Sequence, residues 1–246
     1  NEKTRNGGFS MKITYIHHSC FLIELEQLYL LFDYVKGTLP ALFPDKDLLV
    51  LVSHRHGDHF SPDIFDLAEQ HPKIRYILSD DIWQNRVPEQ HFCRTEYMDS
   101  GKVLSLPDGG GVRITAFKST DQGIAFLVEN GGKVLYHAGD LNDWKWTGES
   151  KAWNNDMDAS YRRELEKIRN LGLVPDVAML PLDGRQEEWF YLGIHEFMEI
   201  VGAKAVLPMH FWEDYDIIRR LKTLDCTTDY RDKITEIRQE GQTFIF

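Results

Sequence analysis

Cysteine is scarce: Cys20, Cys93 and Cys226 are the only three in 246 residues. Their odd number and wide spacing exclude a disulfide framework and a zinc ribbon, and suit a reducing, cytoplasmic compartment. Long apolar runs are also missing. Phe21-Leu22-Ile23 and the run from Leu28 to Phe32 are interrupted by Glu24, Glu26 and Asp33. They fall far short of the roughly 20 apolar residues of a spanning helix, so no membrane partner is expected. Positive charge is in deficit, with 28 Lys and Arg against 39 Asp and Glu and a net charge of −11. That balance argues against an open basic surface and against nucleic acid as a partner, except where bound cations reverse the local sign. No Pro- or Ser-rich linker, repeat or low-complexity tract divides the chain. The length allows one large or two small domains, and without a divider 11–246 is read as a single domain. Residues 1–10 are polar and lack the apolar core of a signal peptide, so they are read as an extension or a cloning remnant.

Strand patterns dominate what is present. Met11 to Ile16 alternates at period two, and Cys20–Glu26 and Leu28–Asp33 flank a tight turn at Glu26-Gln27. Leu48 to Val52 is continuously apolar, as in a strand covered on both faces. A helix is expected directly after Ser61, with Ser61 as its cap, Pro62 in its first turn, and Ile64, Phe65 and Ala68 facing inward. A meander follows over Lys102–Leu106, Val112–Phe117, Gly123–Glu129 and Lys133–His137, punctuated by glycine-rich turns. Helices are expected at Ser160–Ile168, Ile194–Val201 and Tyr215–Leu221, with strands at Asp176–Leu180 and Ala203–Pro208. Ile234–Arg238 and Gln242–Phe246 read as a closing hairpin. Two meanders with helices inserted after each imply an α/β fold, a four-layer αββα sandwich.

Of ten histidines, three fall in one short run with an aspartate: His54, His56, Asp58 and His59 follow the buried strand directly. Strand periodicity sends His54 and His56 to one side, and Gly57 gives the backbone freedom to turn Asp58 and His59 toward an adjacent position. Imidazole and carboxylate donors suit zinc, and also manganese or iron. The plain alternative is a polar loop that caps the next helix, but four donors in six residues favour a metal site. The absence of a neighbouring thiolate favours an open, catalytic one.

His54-Arg55-His56-Gly57-Asp58-His59 resembles the HxHxDH signature of the metallo-β-lactamase superfamily. Tyr136-His137-Ala138-Gly139-Asp140 is similar to the motif whose aspartate bridges the metals there, and Pro208-Met209-His210 is similar to the last ligand motif. The opening segment through His17-His18-Ser19 and Phe32-Asp33 resembles the family's first hairpin. Within the superfamily the similarity is greatest to the ascorbate-phosphate-lactonase-like and uncharacterised metal-dependent hydrolase branch, over Met11 to Phe246. The resemblance implies that His54 and His56 hold a first metal, that Asp58, His59 and His210 hold a second, and that Asp140 lies between them.

One position departs. The family supplies a third histidine to the first metal from a strand end, and Lys118 in Ala116-Phe117-Lys118-Ser119-Thr120-Asp121 stands where it is expected. A protonated lysine cannot ligate a metal. Either the first metal is weak or absent, or Asp121 or another group substitutes, or a neutral Lys118 binds directly. The expectation adopted is one tight metal on the Asp58, His59, Asp140 and His210 side, with Lys118 free to contact an anionic substrate or simply exposed.

Other candidates follow the same motifs. One of His17 and His18 points toward the site, and His18 is the one the resemblance favours. Asp33 is implied to support the histidine loop. His137 is a candidate proton carrier or a packing residue. Asp183 and Arg185 are candidates for the pocket rim, with Arg185 able to clamp a phosphate or carboxylate. Trp144, Trp146, Trp153, Trp189 and Trp212 supply either core packing or an aromatic pocket mouth.

The function this implies is a metal-dependent hydrolase acting through a metal-activated water on a small anionic ester, lactone or phosphodiester, with Asp58 as ligand and water-orienting base. A nuclease of the same superfamily and a non-enzymatic metal-binding sensor are the alternatives. Substrate, native metal and oligomeric state are not readable from the sequence.

Overall fold

The computed structural model describes residues 10–246, so the reading of 1–10 as an extension lies outside the described residues apart from Ser10. The first half of the chain builds one sheet. Strands β1 (Lys12–His17), β2 (Cys20–Glu24) and β3 (Leu28–Phe32) form an antiparallel meander. Strands β4 (Asp47–Val52), β5 (Ile74–Ser79) and β6 (Thr95–Met98) then add in parallel. The second half repeats this plan. Strands β7 (Val103–Leu106), β8 (Val112–Lys118), β9 (Ile124–Asn130) and β10 (Lys133–His137) are antiparallel. Helix α1 (Lys151–Arg169) leads to β11 (Val177–Pro181), and α2 (Leu192–Ile200) leads to β12 (Ala205–Met209), both strands joining in parallel. After α3 (Asp216–Thr223) the chain returns, and β13 (Thr243–Ile245) pairs with β1 at the edge of the first sheet.

Side-chain alternation divides the interior. Leu28, Leu30 and Phe32 of β3, with Leu49 and Leu51 of β4, join Ile114, Ala116, Phe126 and Val128 of the second sheet in one core. Phe32 and Phe126 meet there with ring centroids 6.2 Å apart. The intervening Tyr29, Leu31, Leu48, Val50 and Val52 pack on the other face beneath Ile64 and Phe65, which is why β4 reads as continuously apolar. On the far side of the second sheet, Tyr136 of β10 stacks on Phe197 of α2, and the Tyr161 hydroxyl of α1 donates to the Gly193 carbonyl. The result is the expected α/β sandwich of two mixed sheets with helices outside.

Several local expectations change. The helix after Ser61 is a 3-10 helix, Pro62–Glu69; Ser61 does cap it, its hydroxyl accepting from the Asp63 amide. The helix expected at Ser160–Ile168 begins earlier, where the Ser150 hydroxyl accepts from the Trp153 amide. Strands β5 and β6 fall in a stretch where no elements were expected. The closing hairpin does not form, because its two arms go to different sheets. Ile234 bridges Val206 of β12, and the Thr235 amide donates to the Val206 carbonyl. Gly241 and Gln242 instead bond Tyr15 of β1, which leaves β13 as the only strand of the pair.

Candidate metal centre

Both sheets deliver their polar residues at carboxyl ends of strands. His18 follows β1, Asp33 follows β3, the 54–59 loop follows β4, Asp140 follows β10, Asp183 follows β11 and His210 follows β12. His18, Asp33, His210 and Trp212 all have positive φ, between 45° and 63°. Such backbone is costly for residues with a side chain and is concentrated here at one place. Two glycines let the sheets close on the loop. A Cβ on Gly123 (φ +65°) would lie 2.1 Å from the Ser53 carbonyl oxygen, and one on Gly139 (φ +51°) 2.7 Å from Ser53 Cβ. Gly57, by contrast, has no left-handed backbone and open space at its Cβ, so the loop turns without needing its freedom.

The donor atoms converge in two sets that share Asp140. Its Oδ2 lies 3.4 Å from His54 Nε2, and His54 Nε2 lies 3.1 Å from His56 Nδ1. Its Oδ1 lies 3.2 Å from His59 Nε2 and 3.5 Å from His210 Nε2. Asp58 Oδ2 approaches His18, His59 and His210 at 3.5, 3.8 and 3.9 Å. Ligands about 2.0–2.2 Å from a tetrahedral ion stand roughly 3.3–3.6 Å from one another, so these separations fit a shared cation. Three of the converging atoms, His18 Nε2, His59 Nε2 and Asp140 Oδ1, are buried without a hydrogen-bond partner. Unpaired buried polar atoms are expensive, and a bound metal would satisfy His59 Nε2 and Asp140 Oδ1, with His18 Nε2 beside the Asp58 carboxylate.

A second ring of contacts fixes which nitrogen faces inward. Asp33, fully buried, accepts from the Ser53 amide at 2.7 Å through Oδ1. Its Oδ2 accepts from the Ser53 hydroxyl and from His59 Nδ1, both at 2.7 Å. With its proton given to Asp33, the Ser53 hydroxyl accepts from His54 Nδ1 at 3.0 Å. On the opposite side the buried Asp183 accepts from His210 Nδ1 at 3.0 Å and from Trp212 Nε1 at 3.2 Å. Each contact uses Nδ1–H and leaves Nε2 of His54, His59 and His210 free to ligate.

Electrostatics reinforce this. Burial alone would raise the Asp140 pKa, but the imidazoles of His59, His210 and His54 outweigh it and hold the carboxyl well below its usual range. The approach of His18, whose Nε2 lies 3.5 Å from Asp58 Oδ2, is the main cause of the lowered Asp58 pKa. Burial pushes His54 down to about 4, which keeps it neutral. Burial also opposes charge on His59, yet Asp140 and Asp33 on either side raise its pKa well above the ordinary value. The space between these carboxylates is therefore one that a cation stabilises.

Other anticipated residues are placed differently from expectation. His17 turns away to Glu240, with Nδ1 2.5 Å from its carboxylate. His137 takes the packing alternative: Nε2 donates to the Ser19 carbonyl at 2.8 Å, Nδ1 accepts from the Gly139 amide at 3.1 Å, and the ring stacks on Phe32. Lys118 ends β8 with an exposed side chain and does not line the cavity beside the metal ligands. Asp121 does line it. Arg185 reaches the same cavity, but Nε and Nη2 of its fork are taken by Asp183 while the guanidinium lies over the Trp212 ring at 4.8 Å. Asp183 is thus a buried support for His210 rather than a rim residue. Trp144, Trp146, Trp153 and Trp212 form an aromatic wall of this cavity of about 390 Å3, whereas Trp189 lies elsewhere. Sequence reasoning missed Ser53, Gly123 and Gly139; the run from Ser53 into the histidines, and glycines at strand ends, were the available signals.

The α/β sandwich gathers histidines and aspartates at one edge, in sets able to hold metal ions. The chain belongs to the beta-lactamase superfamily domain family, which it matches over residues 12–210. It is 29% identical over 218 residues to a UPF0173 metal-dependent hydrolase from Alkaliphilus metalliredigens, covering 82% of this chain and 85% of that one. A second such protein, from Methanospirillum hungatei, is 28% identical over 254 residues, with 92% and 96% covered. Among solved structures, Igni18, a metallo hydrolase from the archaeon Ignicoccus hospitalis, has a similar fold. Its TM-score is 0.67 at 20% identity, with 96% of this chain and 98% of that chain covered.

Proposed function

We propose that the protein hydrolyses a small anionic ester, lactone or phosphodiester, and that zinc is its metal, with manganese or iron able to replace it. The observation that carries this reading is Asp140, whose two oxygens face two separate sets of imidazole nitrogens at one wall of an open cavity. His54 and His56 would hold one cation, and Asp58, His59 and His210 the other, with Asp140 between them. When bound, the metals supply Lewis acidity, acidifying water and stabilising developing negative charge.

The chain's own residues do the rest. Asp58, partly exposed toward the cavity, orients the attacking water and accepts its proton. Asp33 and Asp183 hold the histidines in register through Nδ1. The parallel rings of Trp144 and Trp146, with Trp153 and Trp212, offer an apolar surface for the non-reacting part of the substrate and exclude water from it. The anionic preference is supported by the cationic metals, with the Arg185 guanidinium at the cavity edge. The net charge of −11 supports a small molecule rather than nucleic acid as partner. A cytoplasmic location is supported by three free thiols. Site residues spanning His18 to His210 support counting 11–246 as one domain.

The test is turnover of a panel of lactones, carboxylic esters and phosphodiesters by metal-stripped protein before and after reloading with Zn2+, Mn2+ or Fe2+. Hydrolysis restored by metal, with an anionic member preferred over its neutral analogue, is expected. No turnover in any loaded form would favour a sensor and overturn the reading.

A further inference from the structure

The resemblance drawn from the sequence implies a third imidazole for the first metal at the end of β8, and the residue there, Lys118, is exposed to solvent. His54, His56 and Asp140 alone leave that site with three donors. Three residues beyond Lys118, the loop brings another group in. One donor atom from each of His56, Asp121 and Asp140 lies within 4.8 Å of the other two.

This loop is held firmly in place. Thr120 Oγ1 donates to the Asn142 carbonyl at 2.6 Å and accepts from the Asn142 amide at 3.0 Å, which ties it to the segment that carries Asp140. The Ser119 amide donates to the Gly123 carbonyl, and the Asp121 amide donates to the Ser119 hydroxyl. Gly123 in turn seats the loop directly on Ser53 and His54, where the Ile124 amide donates to the Ser53 carbonyl at 2.9 Å. The segment is therefore braced against both of the segments that supply the other donors. Asp121 is exposed, and among the described residues none hydrogen-bonds its carboxylate, which leaves both oxygens available to a ligand at the cavity.

We propose that Asp121 is a metal ligand replacing the missing histidine, so that the first site consists of His54, His56, Asp121 and Asp140. Two imidazoles and two carboxylates make a complete four-donor set for a divalent cation. Exchanging an imidazole for a carboxylate makes the site harder, which shifts its relative preference from zinc toward manganese or iron. The extra carboxylate also lowers the positive charge that two bound metals present to a substrate. This assignment rests on the metal-dependent reading but not on any particular substrate.

The experiment is metal analysis of purified protein, stripped and titrated with Zn2+ or Mn2+ alone, using calorimetry for affinity and elemental analysis for stoichiometry. Wild type is expected to hold two metals per chain. Asp121→Ala should weaken one of them at least about tenfold, since even outer-shell partners alter affinity by about 10- to 100-fold. Asp121→His should regain two metals and favour zinc over manganese more than wild type does. Lys118→Ala should be unchanged, and the melting temperature of metal-free Asp121→Ala should match wild type, showing that the fold survives. Two undiminished metals in Asp121→Ala, or a single metal in wild type, would overturn the assignment. A protein that holds two metals through Asp121 yet hydrolyses nothing would sink the hydrolase reading and leave this one standing.

Discussion

Asp33 and Asp183 are counterparts: each is fully buried at a strand end, one in each sheet, and each accepts the Nδ1 proton of a histidine, His59 at 2.7 Å and His210 at 3.0 Å. Both sheets thus use the same device to present Nε2 to a common point. The device has measurable consequences.

Asp33→Asn keeps the size of the side chain but loses the charge and one acceptor of a group that bonds Ser53 twice and His59 once. Metal affinity should fall about 10- to 100-fold. Calorimetric titration of the stripped protein checks this, and unchanged affinity would show that His59 is oriented by packing alone.

Asp58→Asn should abolish hydrolysis, by about a hundredfold or more in kcat, while the circular dichroism spectrum stays that of wild type. The side chain is partly exposed and holds up no core contact. Retained turnover would remove Asp58 from its role with the attacking water.

Gly123→Ala places a methyl group 2.1 Å from the Ser53 carbonyl oxygen at a left-handed position. A loss of at least about 2 kcal/mol in chemical denaturation is expected. Gly57→Ala, with open space at its Cβ, should stay within about 0.5 kcal/mol of wild type.

Behind the site, burial raises Glu196 to about 8 and Asp143 to about 6, the latter despite its contact with Lys145. Both carboxyls hold protons more tightly when folded than unfolded, so folding takes protons up. Their favourable contribution is present below the ordinary carboxylate range and is lost as pH rises through the folded values. Glu196→Gln should therefore gain stability relative to wild type between pH 5 and 9, read as the difference in melting temperature of the metal-free proteins. A difference that does not vary with pH would contradict the raised value.

Legibility in the sequence followed distance along the chain. The 54–59 cluster was visible because its donors are contiguous and follow an unbroken apolar strand. Asp140 and His210 were reached through motif resemblance, since nothing local marks either as a ligand. The tasks of Ser53, Gly123 and Asp183 depend on how closely remote strands approach, which periodicity does not encode. For Arg185 and His137 the sequence left a site role and a plain structural one side by side, because their hydrogen-bond partners, Asp183 in one case and two backbone groups in the other, become apparent only in three dimensions. The closing hairpin failed for a related reason: alternation identifies strand-forming segments but not which sheet edge receives them.

Ser53 belongs to the first sheet, yet its carbonyl takes the Ile124 amide of the second, and Gly139 rests against its side chain. The residue that orients the histidines is therefore also a rivet between the two halves of the sandwich. Whatever tightens the histidine loop must resist the parting of the sheets, and whatever parts them must loosen the loop. Slow exchange of the single Ile124 amide proton would consequently act as a gauge of cation loading, read from a position that touches no ligand donor.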